Sequence, residues 1–208
     1  MKKIFATVLA GALMLLGTNA FAQLSVGGGY INSAETTTWT SGSNSSSNKA
    51  DLNGFYVGGQ YNIKIVGDLG IAPGVYFSGL FGKRTDDLWI TTGESKFTEL
   101  SINVPINVNY SFALGRDFNL FAYAGPVLQY GVSCKGTYTV GNNTNTTNYY
   151  DDDHKRNAFN VYLGGGVGIQ AGAIQVILGY DHSLTNMITA DNTKIGRSQI
   201  KIGAGYAF

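Results

Sequence analysis

The stretch "ELSINVPINVNYSF", residues 99–112, alternates without a break. Leu100, Ile102, Val104, Ile106, Val108, Tyr110 and Phe112 share one parity, while Glu99, Ser101, Asn103, Pro105, Asn107, Asn109 and Ser111 share the other. Successive side chains of a strand point to opposite faces, so this pattern is a strand held between two different solvents. The same period recurs elsewhere. Phe55, Val57, Tyr61, Ile63 and Ile65 oppose Tyr56, Gly58, Gln60, Asn62 and Lys64; Val161, Leu163, Val167 and Ile169 oppose Asn160, Tyr162, Gly164, Gly166 and Gln170. Beyond the first residues, no window approaches the roughly 20 apolar residues of a membrane helix, and no long stretch keeps a period of 3.6.

The pattern predicts eight strands, at residues 23–33, 52–65, 69–82, 97–112, 118–133, 158–170, 174–184 and 198–208. Their connections alternate in length. Short turns fall at Gly67 and Asp68, at "LGRD" (114–117) and at "AGA" (171–173). Long polar segments, the longest running from Cys134 to Asn157, lie between them. A sandwich has no reason to segregate its loops in this way. An antiparallel transmembrane β-barrel does, with tight turns at the periplasmic rim and long loops outside. The chain is therefore expected to be all-β, an eight-stranded antiparallel barrel.

The start of the chain assigns the compartment. Lys2 and Lys3, the apolar run Ile4 to Leu16 and the small-x-small site Ala20-Phe21-Ala22 form the three parts of an export signal. Residues 1–22 are expected to be a cleaved signal peptide and 23–208 the barrel. Removing two of the 14 basic residues leaves 12 against 13 acidic, a formal charge of −1, which argues against a nucleic-acid partner. Charged residues make up 13% of the chain, against about 25% in soluble domains, and Gly reaches 29. The single cysteine, Cys134, can form no intrachain disulfide.

The parities place a greasy face outside and a polar, glycine-rich face inside. With the short turns at one rim, Tyr110, Phe112, Phe118, Tyr206 and Phe208 gather outside near that rim, and Tyr30, Phe55, Phe81, Tyr130, Phe159 and Tyr180 near the other. Two aromatic girdles at two interfaces follow from rings that favour the headgroup level. At eight strands the interior is about wide enough for its own side chains. The inward set Tyr56, Lys64, Glu99, Tyr123, Tyr162 and Asp181 is expected to fill it.

The chain ends "KIGAGYAF", which resembles the C-terminal insertion signal of bacterial outer-membrane barrels at Lys201, Gly203, Tyr206 and Phe208. With "LSINVPINVNYSF", "FAYAGPVLQYG" and "LGYDHSLTNM", the chain resembles the porin-family outer-membrane β-barrel domain over nearly its whole mature length. The resemblance implies an integral outer-membrane protein, inserted by the barrel-assembly machinery and surrounded by lipid that includes lipopolysaccharide.

Other features are less decided. Pro73, Pro105 and Pro126 fall inside strands, where each removes a ladder donor; bulges or a functional gap in the wall would accommodate them. Pro105 and Pro126 should lie at nearly the same height on paired strands. "DDDH", Asp151 to His154, reads as a solvated charge run without calcium-loop spacing. His182 and Ser183 are adjacent and so face opposite sides, which denies them a joint role as base and nucleophile. "SGSNSSSN" and "GNNTNTTN" read as mobile loop tips. No motif for a cofactor or metal stands out. The expectation is a monomeric, non-enzymatic barrel with a structural or adhesive surface role and a possible extracellular ligand at its loops. A narrow porin-like channel and an outer-leaflet lipid-modifying enzyme are the alternatives.

Overall fold

The computed structural model describes residues 22–42, 44–88, 91–141, 143–151, 156–190 and 192–208, with backbone alone for Ala22 and for 84–88 and 91–93. The expected signal peptide, residues 1–22, lies outside them apart from Ala22, whose backbone opens the first strand. Among the described residues no helix is long and apolar enough to cross a membrane.

Nine strands form: β1 (Ala22–Ser41), β2 (Asn44–Val66), β3 (Leu69–Leu88), β4 (Thr91–Ala113), β5 (Phe118–Val140), β6 (Asn143–Asn148), β7 (Phe159–Ala171), β8 (Ile174–Ser183) and β9 (Thr193–Ala207). All named pairings are antiparallel. The order β4-β3-β2-β1-β9-β8-β7-β5 closes on itself through β4–β5, so eight strands make a ring. The ninth, β6, pairs with β5 and extends it as a hairpin, Lys135↔Asn148 through Val140↔Asn143. The end of the chain seals the ring: Ser25↔Ala207, Val26↔Tyr206 and Gly27↔Gly205 join β1 to β9, and the Phe208 amide donates to the Leu24 carbonyl at 2.8 Å.

One rim is made of the three short turns, at the positions expected from the sequence. Gly67 and Gly172 hold φ of 56° and 57° there, the left-handed region that a two-residue turn between twisted strands requires. At the other rim the strands run well past their expected ends. β1 and β2 stay paired from Ala22↔Ile63 to Ser41↔Asn44. "SGSNSSSN" and "GNNTNTTN" are thus for the most part the upper arms of hairpins, not mobile tips. A strand wetted on both faces loses the apolar alternation that marks a membrane crossing, so its sequence looks like a loop.

The wall is apolar outside and polar inside. Leu24, Val57, Leu163, Val176, Ile200 and Ile202 are exposed on the outer face, whereas Ser25, Ser78, Asn103, Gln129, Asn160 and Gln199 are buried within the ring. Ile31, Leu52 and Leu80 form a small apolar cluster inside, packed by Tyr56 and Phe97. A bulge leaves Val132 unpaired between Ser101↔Gly131 and Leu100↔Ser133, which turns Cys134 inward.

The three prolines sit side by side. Pro73 pairs with Ile106 from one side, Pro105 with Val127, and the register puts Pro126 opposite Ile106 from the other side. Around them the ladders skip two rungs each: between Gln60↔Gly74 and Ile63↔Ile71, between Pro73↔Ile106 and Tyr76↔Asn103, and between Pro105↔Val127 and Val108↔Ala124. The register is the same above and below each lapse. The prolines therefore make a stripe of missing hydrogen bonds across β2 to β5, with no bulge. Pro73, Gly74, Val104 and Pro105 are all buried there, so the alternation of exposure lapses with the ladder.

Candidate functional site

Parity carries three charged residues into the mouth of the ring. Glu35 continues the inward series Ile31 and Ser33 of β1; Arg197 precedes Gln199 and Lys201 on β9; Glu99 stands on the inward face of β4, one step below Phe97. Arg156, from the β6–β7 connection, completes the group, placed by a bridge to Ile188. Arg197 Nη1 and Nη2 donate to Glu99 Oε1 and Oε2 at 2.7 and 2.8 Å, and Nη2 also donates to Glu35 Oε2 at 2.7 Å. Arg156 binds Glu35 through both terminal nitrogens, at 3.2 and 2.7 Å, and reaches Glu99 at 3.2 Å. Its guanidinium also stacks over Phe97, 5.6 Å from the ring centroid.

Two cations and two anions thus balance in a nearly dry mouth. The Arg197 and Glu99 side chains are 0% exposed. Glu35 lies beyond the apolar band of β1, which ends at Tyr30. Burial alone would raise its carboxyl; the guanidinium of Arg197 and then that of Arg156 outweigh this and hold it at about 2, from 4.5.

Below the cluster a chain of buried hydrogen bonds runs along the inner wall over neighbouring strands. Tyr162 donates to Gln129 Oε1 (3.1 Å), Gln129 to Asn103 Oδ1 (3.0 Å), Asn103 to Ser78 Oγ (2.8 Å), and Ser78 meets Ser101 at 2.9 Å. Four strands are tied by one polar thread. The half of the lumen nearer the short turns is less full and holds a cavity of about 330 Å³ lined by Tyr56, Tyr76, Tyr123, Asn107, Asp181 and Lys201 among others. Above the mouth, the tall hairpins enclose a second cleft of about 640 Å³, lined by Lys49, Lys83, Lys96, Phe97, Tyr138 and Tyr149 among others.

The residues expected inside divide between these places. Glu99 belongs to the ion cluster and Tyr162 to the polar thread; Tyr56, Tyr123 and the Asp181–Lys201 ion pair line the cavity. Lys64 is exposed and borders the cavity at the short-turn rim, so it does not fill the lumen: Val66 and the turn end the wall just beyond it. Tyr110, Phe112, Phe118, Tyr206 and Phe208 lie exposed at the turn rim, with Tyr110–Phe112 and Tyr206–Phe208 edge to face at 4.7 and 4.9 Å. At the other level Tyr30, Phe55, Phe81 and Tyr180 are exposed and Tyr130 and Phe159, paired across β5 and β7, are half-buried. Gly203 packs against the Tyr56 hydroxyl and the Gly28 carbonyl, too closely for any Cβ.

His182 meets Ser198 across β8 and β9, with Nδ1 2.9 Å from the hydroxyl, and not the adjacent Ser183. Among the described residues no carboxylate bonds its other ring nitrogen, so the pair lacks the third group that orients a catalytic base. Of "DDDH", Asp151 accepts from Asn148 and the remaining three residues lie outside the described ones. Among the described residues no cluster could hold a metal ion. Sequence reasoning missed Glu35, Arg156 and Arg197. For Glu35 and Arg197 the signal was present: each continues the inward parity of its strand by one or two steps.

A closed antiparallel ring, apolar outside and polar within, defines the transmembrane β-barrel class. Residues 8–208 match the outer membrane protein beta-barrel domain, and the chain belongs to that family. It is an integral protein of the outer membrane, with short periplasmic turns and tall extracellular hairpins. Among solved structures it is similar in fold to Ail, the attachment invasion locus protein of Yersinia pestis, at 16% identity over 89% of this chain and 99% of that one (TM-score 0.36). Neisserial surface protein A shares 14% over 90% and 99% (0.41), and OprG from Pseudomonas aeruginosa 9% over 90% and 96% (0.43). No curated protein matches the chain.

Proposed function

We propose that this protein is a surface-interaction barrel, a monomer anchored in the outer membrane whose folded extracellular hairpins hold a ligand and whose lumen does not conduct. The observation that carries this reading is the closed mouth. The Glu35–Glu99–Arg156–Arg197 cluster ties β1, β4, β9 and the β6–β7 connection across the lumen, leaving the cleft above it facing outward. Binding surfaces carried on a rigid scaffold are a common use of such elements. The girdle residues meet lipid, including lipopolysaccharide on the outer leaflet. Lys201, Gly203, Tyr206 and Phe208 serve the assembly machinery as the insertion signal.

Two measurements test the proposal. In planar bilayers the refolded protein should show little steady conductance, and a large stable conductance would favour a channel. Cells displaying the protein should bind a component of a glycan and matrix-protein array, and lose that binding when Lys49 and Lys96 are replaced by Glu. Binding that ignores both lysines would move the ligand site away from the cleft. The lipid-modifying alternative has the His182–Ser198 contact in its favour, and unchanged lipid A masses with and without the protein would dismiss it.

A further inference from the structure

The periplasmic half of the lumen is built differently from the plug above it. Its cavity of about 330 Å³ falls within the size range of small-molecule sites, reaches the periplasmic rim at Lys64, Asp68, Asn119 and Gln175, and lies below the ion cluster that spans the opposite mouth. Carboxamides dominate the polar lining, Gln60, Asn62, Asn107 and Asn109 among them, and tyrosine rings from β2, β3 and β5 supply the flat apolar surface. Four charged residues line it, Lys64 and Lys201 against Asp68 and Asp181, so the lining has no net charge. Asp181 and Lys201 are already spent on each other.

Most of these amides are satisfied by the protein. Asn62 accepts from Asn109 and donates to Ser25, and Tyr76 donates to Gln60. Asn107 differs. It is 6% exposed, and its Oδ1 has no hydrogen-bond partner among the described residues. A buried acceptor left unpaired is costly, and an amide beside a cavity can be satisfied by whatever occupies it. The oxygen lies beside the lapse in the ladder between Pro105↔Val127 and Val108↔Ala124, on the side of β4 that lines the cavity.

We infer that this cavity binds a small neutral polyol, of the size of one sugar ring, drawn from the periplasm. Each hydroxyl of such a solute both donates and accepts, as the carboxamides do, and its C–H face suits a tyrosine ring. The lining as a whole offers neither an anion nor a cation a net countercharge. Asn107 is the residue that distinguishes an occupied site from a filled wall. The inference concerns the periplasmic end and stands apart from the reading of the extracellular cleft.

The test is titration of the refolded, isotope-labelled protein in micelles with D-glucose, with glycine and sodium phosphate as zwitterionic and anionic comparisons, read from amide NMR spectra. Saturable shifts with glucose at lumen-facing Asn and Gln amides, weakened about tenfold by Asn107→Leu as one lost hydrogen bond would give, are expected. Should Asn107→Leu fail to insert, Asn107→Ala makes the same comparison. Absence of any saturable glucose response would show that the cavity holds water alone and overturn the inference. So would a stronger response to glycine or phosphate, or a glucose response that neither Asn107 variant alters.

Discussion

Replacing Arg197 by Met should destabilise the barrel severely, and by an amount that a second substitution largely restores. The guanidinium makes three charge-assisted hydrogen bonds of 2.7 to 2.8 Å to two carboxylates. Met keeps much of the stem and none of the donors. Glu35 and Glu99 are then left with Arg156, whose contact to Glu99 is 3.2 Å, and the cluster changes from balanced to −1. At an effective dielectric of about 20, one ion pair at this separation is worth roughly 6 kcal/mol before desolvation is subtracted. Breaking a buried pair from one side typically costs about 3 to 5 kcal/mol. Adding Glu99→Leu removes the stranded charge and leaves the two-bond Glu35–Arg156 pair neutral, so the double variant should return to within about 1 to 2 kcal/mol of the native protein. The assay is urea unfolding of refolded protein in detergent, followed by fluorescence and by heat-modifiable migration on gels. If Arg197→Met is as stable as the native protein, or the double variant no better than the single one, the cluster does not hold the mouth closed.

Acid should loosen the same mouth. Because the folded carboxyl of Glu35 is depressed to about 2, its contribution is fully present above the unfolded value of 4.5 and is lost as pH falls toward 2. Unfolding midpoints measured across that window should drop, and Glu35→Gln should flatten the drop. Deleting Phe208, 69% exposed at the seam, removes about 1 to 3 kcal/mol of apolar burial in lipid, so purified protein should still refold while insertion in cells slows or fails. Normal cellular insertion would deny the terminal residues a signalling role. Pro126→Val restores a donor opposite Ile106 and should stabilise the wall by about 1 kcal/mol, with slower amide exchange at Ile106 and a protected new amide at position 126. An epitope inserted after Gly141, at the β5–β6 tip, should be tolerated and reachable by antibody on intact cells, whereas one at Thr137, which pairs with Thr146, should disrupt the hairpin.

The barrel was legible because a membrane imposes contrast. Residues 99–112 declare their two faces where one meets lipid and the other the lumen, and the periplasmic ends of the strands fall within a residue or two of where alternation stops. Above Tyr30 and Phe55 both faces meet water, the contrast disappears, and the paired arms through Thr36–Ser41 and Asn44–Asp51 resemble loops. The ion cluster was half legible. Glu99 was placed inside by its strand, and Glu35 and Arg197 by parity alone would have followed had the strands been extended. Arg156 could not have been found this way, since its position depends on how the β6–β7 connection folds back over the mouth, and no periodicity encodes that. The vacancy behind Asn107 also escaped the sequence, because the size of an interior depends on which rings lean away from it.

The unbroken ladder of the β1–β2 hairpin fixes how such a surface can diverge. Its pairs run in constant register from the base to Ser41↔Asn44, and Glu35, partway up, is committed to the lumen. Adding one residue to each arm above the membrane would exchange the two faces of everything beyond the insertion. Adding two to each arm restores them and raises the tip by about 7 Å. Height above the membrane is therefore quantised: descendants of this chain should gain or lose hairpin length four residues at a time, in matched pairs, while sequence at the tip drifts freely.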